Sequence, residues 1–259
     1  MNRSTSLLLG YGCTVVQPSR GLNFVDPQLN QIGRPFAPTY WLNLARGTIG
    51  PTAAPIMHIH GMLFLSWTLY FAWQTNLVAK GNIARHRASG LAGIALAATM
   101  VWAAILAIVD SMHQAALIGQ TKAGEAFAAV PFMEAIQFAA FVGLAIANVT
   151  KPENHKRWML LATISLLPPA FARWFVYFLA PPAIPPIPPA SVIVTLPPSF
   201  VADLLVIAAM TYDWRTRGKP HPIYVWGLGA LLFGQLIPVP LGASNPWMSF
   251  AHALSGLIA

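Results

Sequence analysis

Three acids and one arginine lie inside, or at the ends of, segments apolar enough to cross a bilayer: Asp110, Glu134, Asp203 and Arg173. Three histidines, His58, His60 and His113, accompany them. An ionisable group at membrane depth is costly, so by default it faces a bundle interior, a partner or a water-filled path. Acids with an arginine at that depth can relay protons or hold a charged solute. Histidines with acids can ligate a transition metal, and facing histidines can ligate haem.

Helical spacing sorts these residues onto faces. His60, Trp67 and Gln74 are seven apart and share one stripe, and Glu134, Gln137, Phe141 and Asn148 share another. Asp110 and His113, three apart, are neighbours on one helix. Counting 1.5 Å per residue from the basic corners places Glu134 and Arg173 at a common depth of roughly 24 Å, so they are expected to pair between the third and fourth spans. His60 and Asp110 fall near the outer boundary, and Asp203 lies closer to the middle. His60, Asp110, His113, Glu134 and Arg173 are thus expected to line one outward-facing cavity. The His-x-His at 58–60 is a poor chelate, because helical residues two apart point about 200° away from each other. His58 is therefore a substitute for His60. The expected metal site combines His60, His113, Asp110 and Glu134 and suits iron, copper or zinc. The expected haem b pair is His60 with His113. A single cysteine, Cys13, excludes an internal disulfide and a multi-cysteine metal site, and the lack of C-x-x-C-H excludes covalent haem.

The elements that must carry these residues are membrane helices. The chain of 259 residues is 56% hydrophobic and 8% charged, against about 25% charged residues in soluble domains. Six segments approach the roughly 20 apolar residues that a span requires: 54–79, 90–110, 127–149, 158–180, 199–213 and 222–243. The fifth is short, and Ala190–Leu196 can extend it through Pro197-Pro198. The fold expected is an all-α polytopic bundle of about six transmembrane helices arranged as three hairpins. Residues 1–53 form an N-terminal extramembrane or interfacial segment. Residues 244–259 form an apolar tail that is re-entrant or interfacial. Leu7–Val16 after Arg3 has some character of a signal h-region, but Gly10, Tyr11 and Gly12 interrupt it, so the segment is read as a cover on the outer face, with a cleaved signal as the alternative.

Most of the basic residues behind the net charge of +8 lie in alternate loops, while Arg3, Arg20, Arg34 and Arg46 in the N-terminal segment fit this topology less well. Lys80, Arg85 and Arg87, then Lys151, Lys156 and Arg157, then Arg215, Arg217 and Lys219 make nine basic residues, against Lys122 alone in the loops 111–126 and 181–198. That bias places the basic loops in the cytoplasm and the chain in a bacterial inner membrane. It also assigns the charge to topology, not to nucleic acid.

Each basic corner holds a histidine: Arg85-His86-Arg87 before Gly90, His155-Lys156-Arg157-Trp158-Met159, and Arg217-Gly218-Lys219-Pro220-His221-Pro222. These residues are read as headgroup anchors and helix caps, with a cytoplasmic metal or cofactor site as the alternative. The H-R-x-x-G, H-K-R-W-M and R-G-K-x-H-P-x-Y-x-W-G motifs resemble a group of bacterial multi-pass membrane proteins over about residues 55–235. The resemblance implies the topology and no particular activity.

Prolines add two features. Pro168-Pro169 should kink the fourth span four residues before Arg173. Pro181, Pro182, Pro185, Pro186, Pro188 and Pro189 make a stiff loop that can roof the cavity or dock a partner. Phosphate-binding glycine loops, G-x-S-x-G and H-E-x-x-H are absent from the chain, which argues against soluble nucleotide and conventional hydrolase chemistry. Three functions follow. The first is a metal- or haem-binding protein with an oxidoreductase-like role. The second is a proton-coupled transporter or channel in which Glu134, Arg173 and Asp203 form the relay. The third is an accessory subunit of a larger membrane complex. The partners expected are the lipid bilayer, other membrane proteins or a second copy of the chain.

Overall fold

The computed structural model describes residues 55–179 and 190–256, which form helices and no strand. In chain order the helices are α1 (Pro55–Ala79), α2 (Ile83–Leu117), α3 (Thr121–Phe127), α4 (Ala129–Ala147), α5 (Pro152–Ile164), α6 (Pro168–Leu179), a 3-10 turn (Val192–Thr195), α7 (Leu196–Arg217), α8 (Pro222–Leu236), α9 (Pro238–Gly242) and α10 (Asn245–Ser255). The N-terminal segment and the proline-rich stretch 181–189 lie outside the described residues.

Among the described residues, five segments are long and apolar enough to cross a membrane: Ile83–Leu117, Thr121–Ala147, Pro152–Phe175, Val192–Arg217 and Pro222–Gly242. With 25 residues, α1 has the length for a sixth and packs along α2. The all-α bundle of hairpins is thus the observed architecture. α1 pairs with α2, α4 with α5 and α7 with α8, each across a basic corner. The spans are longer than their apolar windows. α2 begins at Ile83 and takes in the whole Arg85-His86-Arg87 corner, because lysine and arginine propagate a helix well and extend past the hydrocarbon. At the other end α2 continues to Leu117, where Gly119 turns the chain at φ +73° into α3. The short fifth segment is completed as expected, with the proline pair in the first turn of α7, where missing N–H groups cost little.

The corners are built from caps. Asn82 Oδ1 accepts from Arg85 N at 3.2 Å. Pro152 opens α5. Gly218, at φ +75°, ends α7, and His221 Nδ1 accepts from Ile223 N at 3.3 Å to begin α8. Burial, with the nearby Arg157 charge, holds His221 below the ordinary histidine pKa, which suits a neutral ring that accepts. His155 bonds Ala145 O at 2.9 Å, and His86 bonds Gln74, which also reaches Tyr70 and Ser89. Of the three corner histidines, His221 caps a helix, whereas His86 bonds a side chain of α1 and His155 a carbonyl of α4.

Arg157 departs from the anchor reading. It is 1% exposed, with Nε and Nη2 donating to Asp213 at 3.1 and 2.7 Å. Its guanidinium lies 5.4 Å from the Tyr224 ring, and Glu153 bridges it to Arg217 at 2.8 and 2.6 Å. One buried ion pair thus ties α5, α7 and α8 together. Nearby, Gly227 faces Leu161 and Gly234 faces Gln137, so closely that a Cβ at either position would collide. Gln137 Nε2 in turn donates to Ala230 O at 2.7 Å.

The main core runs through the centre and includes Trp67, Met100, Phe138, Phe141, Leu161, Val206 and Leu231. A second cluster seats α10 on the bundle. Trp247 packs with Ile108, Met112 and Ala129, and its Nε1 donates to Glu125 O at 2.8 Å. The apolar tail is therefore docked against α3 and α2.

Asp213→Ala leaves Arg157 buried without its main partner, and breaking such a pair costs roughly 3–5 kcal/mol. Glu153 is half exposed, so Glu153→Ala should cost about 1 kcal/mol or less. Thermal unfolding in detergent, followed by circular dichroism, should rank Asp213→Ala well below Glu153→Ala in melting temperature.

Candidate functional site

Seven elements meet around a cavity of about 550 Å³ in the half of the bundle away from the basic corners. His60 and Trp67 come from α1, Met100 and Ile108 from α2, Phe127 from α3, Glu134 and Phe138 from α4, and Arg173 from α6. The volume falls in the range of small-molecule pockets, roughly 300–1,000 Å³.

A broken helix forms part of the wall. The fourth span stops at Ile164 and restarts at Pro168. Pro168 and Pro169 lack N–H donors, so the regular ladder fails there and the chain turns instead, with Leu167 N bonding Ile164 O at 3.0 Å. Ser165, Leu166, Leu167, Pro168 and Pro169 all line the cavity. The expected kink is thus a full discontinuity. α6 resumes in time to place Arg173 in the same wall, where Nη1 also reaches Pro169 O at 3.4 Å.

Glu134, Arg173 and His60 all line this cavity. His60 packs on Phe64 with ring centroids 4.3 Å apart, and its buried Nδ1 has no hydrogen-bond partner. Trp67, 2% exposed, meets Phe138 edge-on at 5.1 Å, and its Nε1 has no acceptor. The α1 stripe read from the sequence is real. His60 and Trp67 line the cavity, while Gln74, one heptad further on, is buried at the basic corner.

The remaining expected site residues go elsewhere. Asp110 and His113 are half-buried on α2 but outside the cavity lining, which takes Ile108 and Ser111 from that helix. His58 is half-buried on α1 and also outside the lining. Asp203 is buried on α7, where its Oδ1 accepts from Gln235 Nε2 at 3.1 Å. Asp203 Oδ2 and Gln235 Oε1, also buried, have no donor. The ligand set His60, His113, Asp110 and Glu134 is therefore not gathered at one point. Among the described residues, no group of three or more His, Cys, Asp or Glu side chains stands close enough to hold a metal ion. The geometry joins His60, Glu134 and Arg173.

Two polar contacts escaped the sequence reading. Asp213 stands at the edge of a basic loop, and its i,i+4 relation to Arg217 was the available signal. Glu125, 4% exposed, accepts from His252 Nδ1 at 2.8 Å. It falls in a stretch that was read as loop, and its partner lies 127 residues away.

Fold and site together define a polytopic helical membrane protein with a polar-ended cavity at a helix break. No family model, curated protein or solved structure matches the chain.

If Glu134 and Arg173 work as a pair, Glu134→Gln and Arg173→Gln should not add. A double-mutant cycle on unfolding free energy should return a coupling of roughly 0.5–3 kcal/mol. Strictly additive losses would separate the two residues.

Proposed function

We propose that the protein is a proton-coupled carrier whose solute site is the cavity between Glu134, Arg173 and His60. The observation that carries this reading is the broken fourth span, with an acid and an arginine in the cavity that the break lines. Discontinuous membrane helices recur at the binding sites of secondary transporters, where irregular backbone is tolerated because it lines a cavity. An acid beside an arginine can exchange a proton for a pairing partner, so the charge state of the site can change with solute occupancy. Asp203 contributes separately. Its buried Oδ2 has no donor in the structure, and a proton taken up there would turn that oxygen into a donor. The reading places the chain in a bacterial inner membrane, with the basic corners on the cytoplasmic side, in keeping with their nine-to-one share of the short-loop charge.

The metal or haem reading has less support. His60 lines the cavity and His113 does not, so the pair that haem would need does not face one space.

Reconstitution tests the carrier. Liposomes loaded with a pH-sensitive dye and containing the purified protein should show proton flux under an imposed pH gradient. Glu134→Gln should remove most of it, and Asp203→Asn should reduce it. Flux equal to that of protein-free liposomes across a panel of added solutes would remove this reading.

A further inference from the structure

Two of the corner histidines stand beside each other. His86 of α2 and His155 of α5 have ring centroids 6.3 Å apart, although they belong to different hairpins. Their hydrogen bonds fix which nitrogen of each ring carries the proton. His155 Nδ1 meets Ala145 O at 2.9 Å, and a carbonyl only accepts, so Nδ1 carries the hydrogen. His86 Nδ1 meets Gln74 Oε1, and that amide is oriented by its other end. Gln74 Nε2 donates to Tyr70 Oη at 2.6 Å and to Ser89 Oγ at 2.8 Å. Those hydroxyls spend their own protons on Ser89 O and Arg85 O, at 2.7 and 2.8 Å, so toward the amide they accept. Oε1 therefore faces His86, and His86 Nδ1 donates. In each neutral ring Nε2 is left as a bare lone pair.

Neither Nε2 has a hydrogen-bond partner among the described residues. The unpartnered side-chain nitrogens that are closed off there are His60 Nδ1 and Trp67 Nε1, so the two Nε2 atoms are open to solvent on half-buried rings. Each ring is held by its Nδ1 edge within its own hairpin, which leaves the Nε2 edge for a bond between hairpins. A histidine whose other nitrogen donates to an oxygen is the usual state of a metal ligand. Even aimed straight at each other, the Nε2 atoms stand about 4 Å apart, too far for a direct hydrogen bond. Two metal–imidazole bonds of about 2.0–2.1 Å in one line span that gap, whereas a tetrahedral zinc ion would need its nitrogens about 3.3 Å apart. Tetragonal copper accepts imidazoles trans to each other and takes oxygen ligands such as water in its other positions. Among the described residues no third His, Cys, Asp or Glu joins the pair, which suits those open positions. The corner is basic, but Glu153 and Asp213 pair with Lys156 and Arg157, and Arg85 and Arg87 are exposed, where water screens them.

We propose that His86 and His155 form a copper site through their Nε2 atoms, which ties the first hairpin to the second at the basic corners. The site lies at the other end of the bundle from the cavity, and it stands whether or not the protein is a carrier.

The experiment uses the full chain in detergent, without an affinity tag, and Cu2+ alone as the probe. Calorimetry should show one tight site per chain, and bound copper should raise the melting temperature, because the ion binds the folded pair. His86→Asn and His155→Asn each place an amide nitrogen where Nδ1 stood, so the native hydrogen bond is kept and the Nε2 ligand is lost. Each should weaken binding by at least about 10-fold, since even the loss of an outer partner of a ligand costs that much. His252→Asn, on α10, should leave binding unchanged. Pulsed electron paramagnetic resonance of the copper-loaded wild type should show two bound imidazoles. That spectrum decides the matter if either asparagine variant fails to fold. Wild-type affinity in either variant, one bound imidazole or none, or Zn2+ held as tightly as Cu2+ overturns the site.

Discussion

Two adjacent prolines in the middle of a membrane span set the terms for this molecule. Pro168 and Pro169 bring no N–H to the helical ladder, so the fourth span ends at Ile164 and begins again at Pro168. In hydrocarbon such a gap is tolerated only where protein or a cavity receives the irregular backbone. Here the cavity receives it, and every residue from Ser165 to Pro169 is part of the wall. Arg173 follows little more than a turn later and enters the same space as Glu134.

The opposite half of the bundle is closed and tied. Arg157 and Asp213 form a buried pair across α5 and α7, Glu153 and Arg217 complete the cluster, and the Tyr224 ring covers it. Gly227 and Gly234 let α8 approach α5 and α4 closely. The first hairpin is closed by Gln74, Tyr70, Ser89 and His86.

Much of this was legible in the residues. Hydropathy and basic-loop bias yield the hairpins, because a membrane helix satisfies its own backbone and its ends carry the charge. The seven-residue spacing of His60 and Trp67 survives in three dimensions, since a regular helix preserves it, and Glu134 and Arg173, which counting along the spans sets at one depth, line the same cavity. What failed was the extrapolation from depth to facing. Asp110 and His113 lie at a suitable height on α2, yet Ile108 and Ser111 take the cavity. A helix of 35 residues can turn any face inward, and its neighbours decide which. Arg157 was taken for a surface anchor because its partner, Asp213, lies 56 residues on. Glu125 and His252 were missed for the same reason, as long-range pairing leaves no local periodicity.

The central claim is that the space beside the helix break is a ligand site. An experimental structure of the protein in lipid nanodiscs tests it most directly. The account predicts a break at 165–167, Glu134 and Arg173 in one wall, and non-protein density in the cavity that the break lines. A continuous helix through 165–167, with side chains filling the space and Arg173 turned away from Glu134, would contradict it.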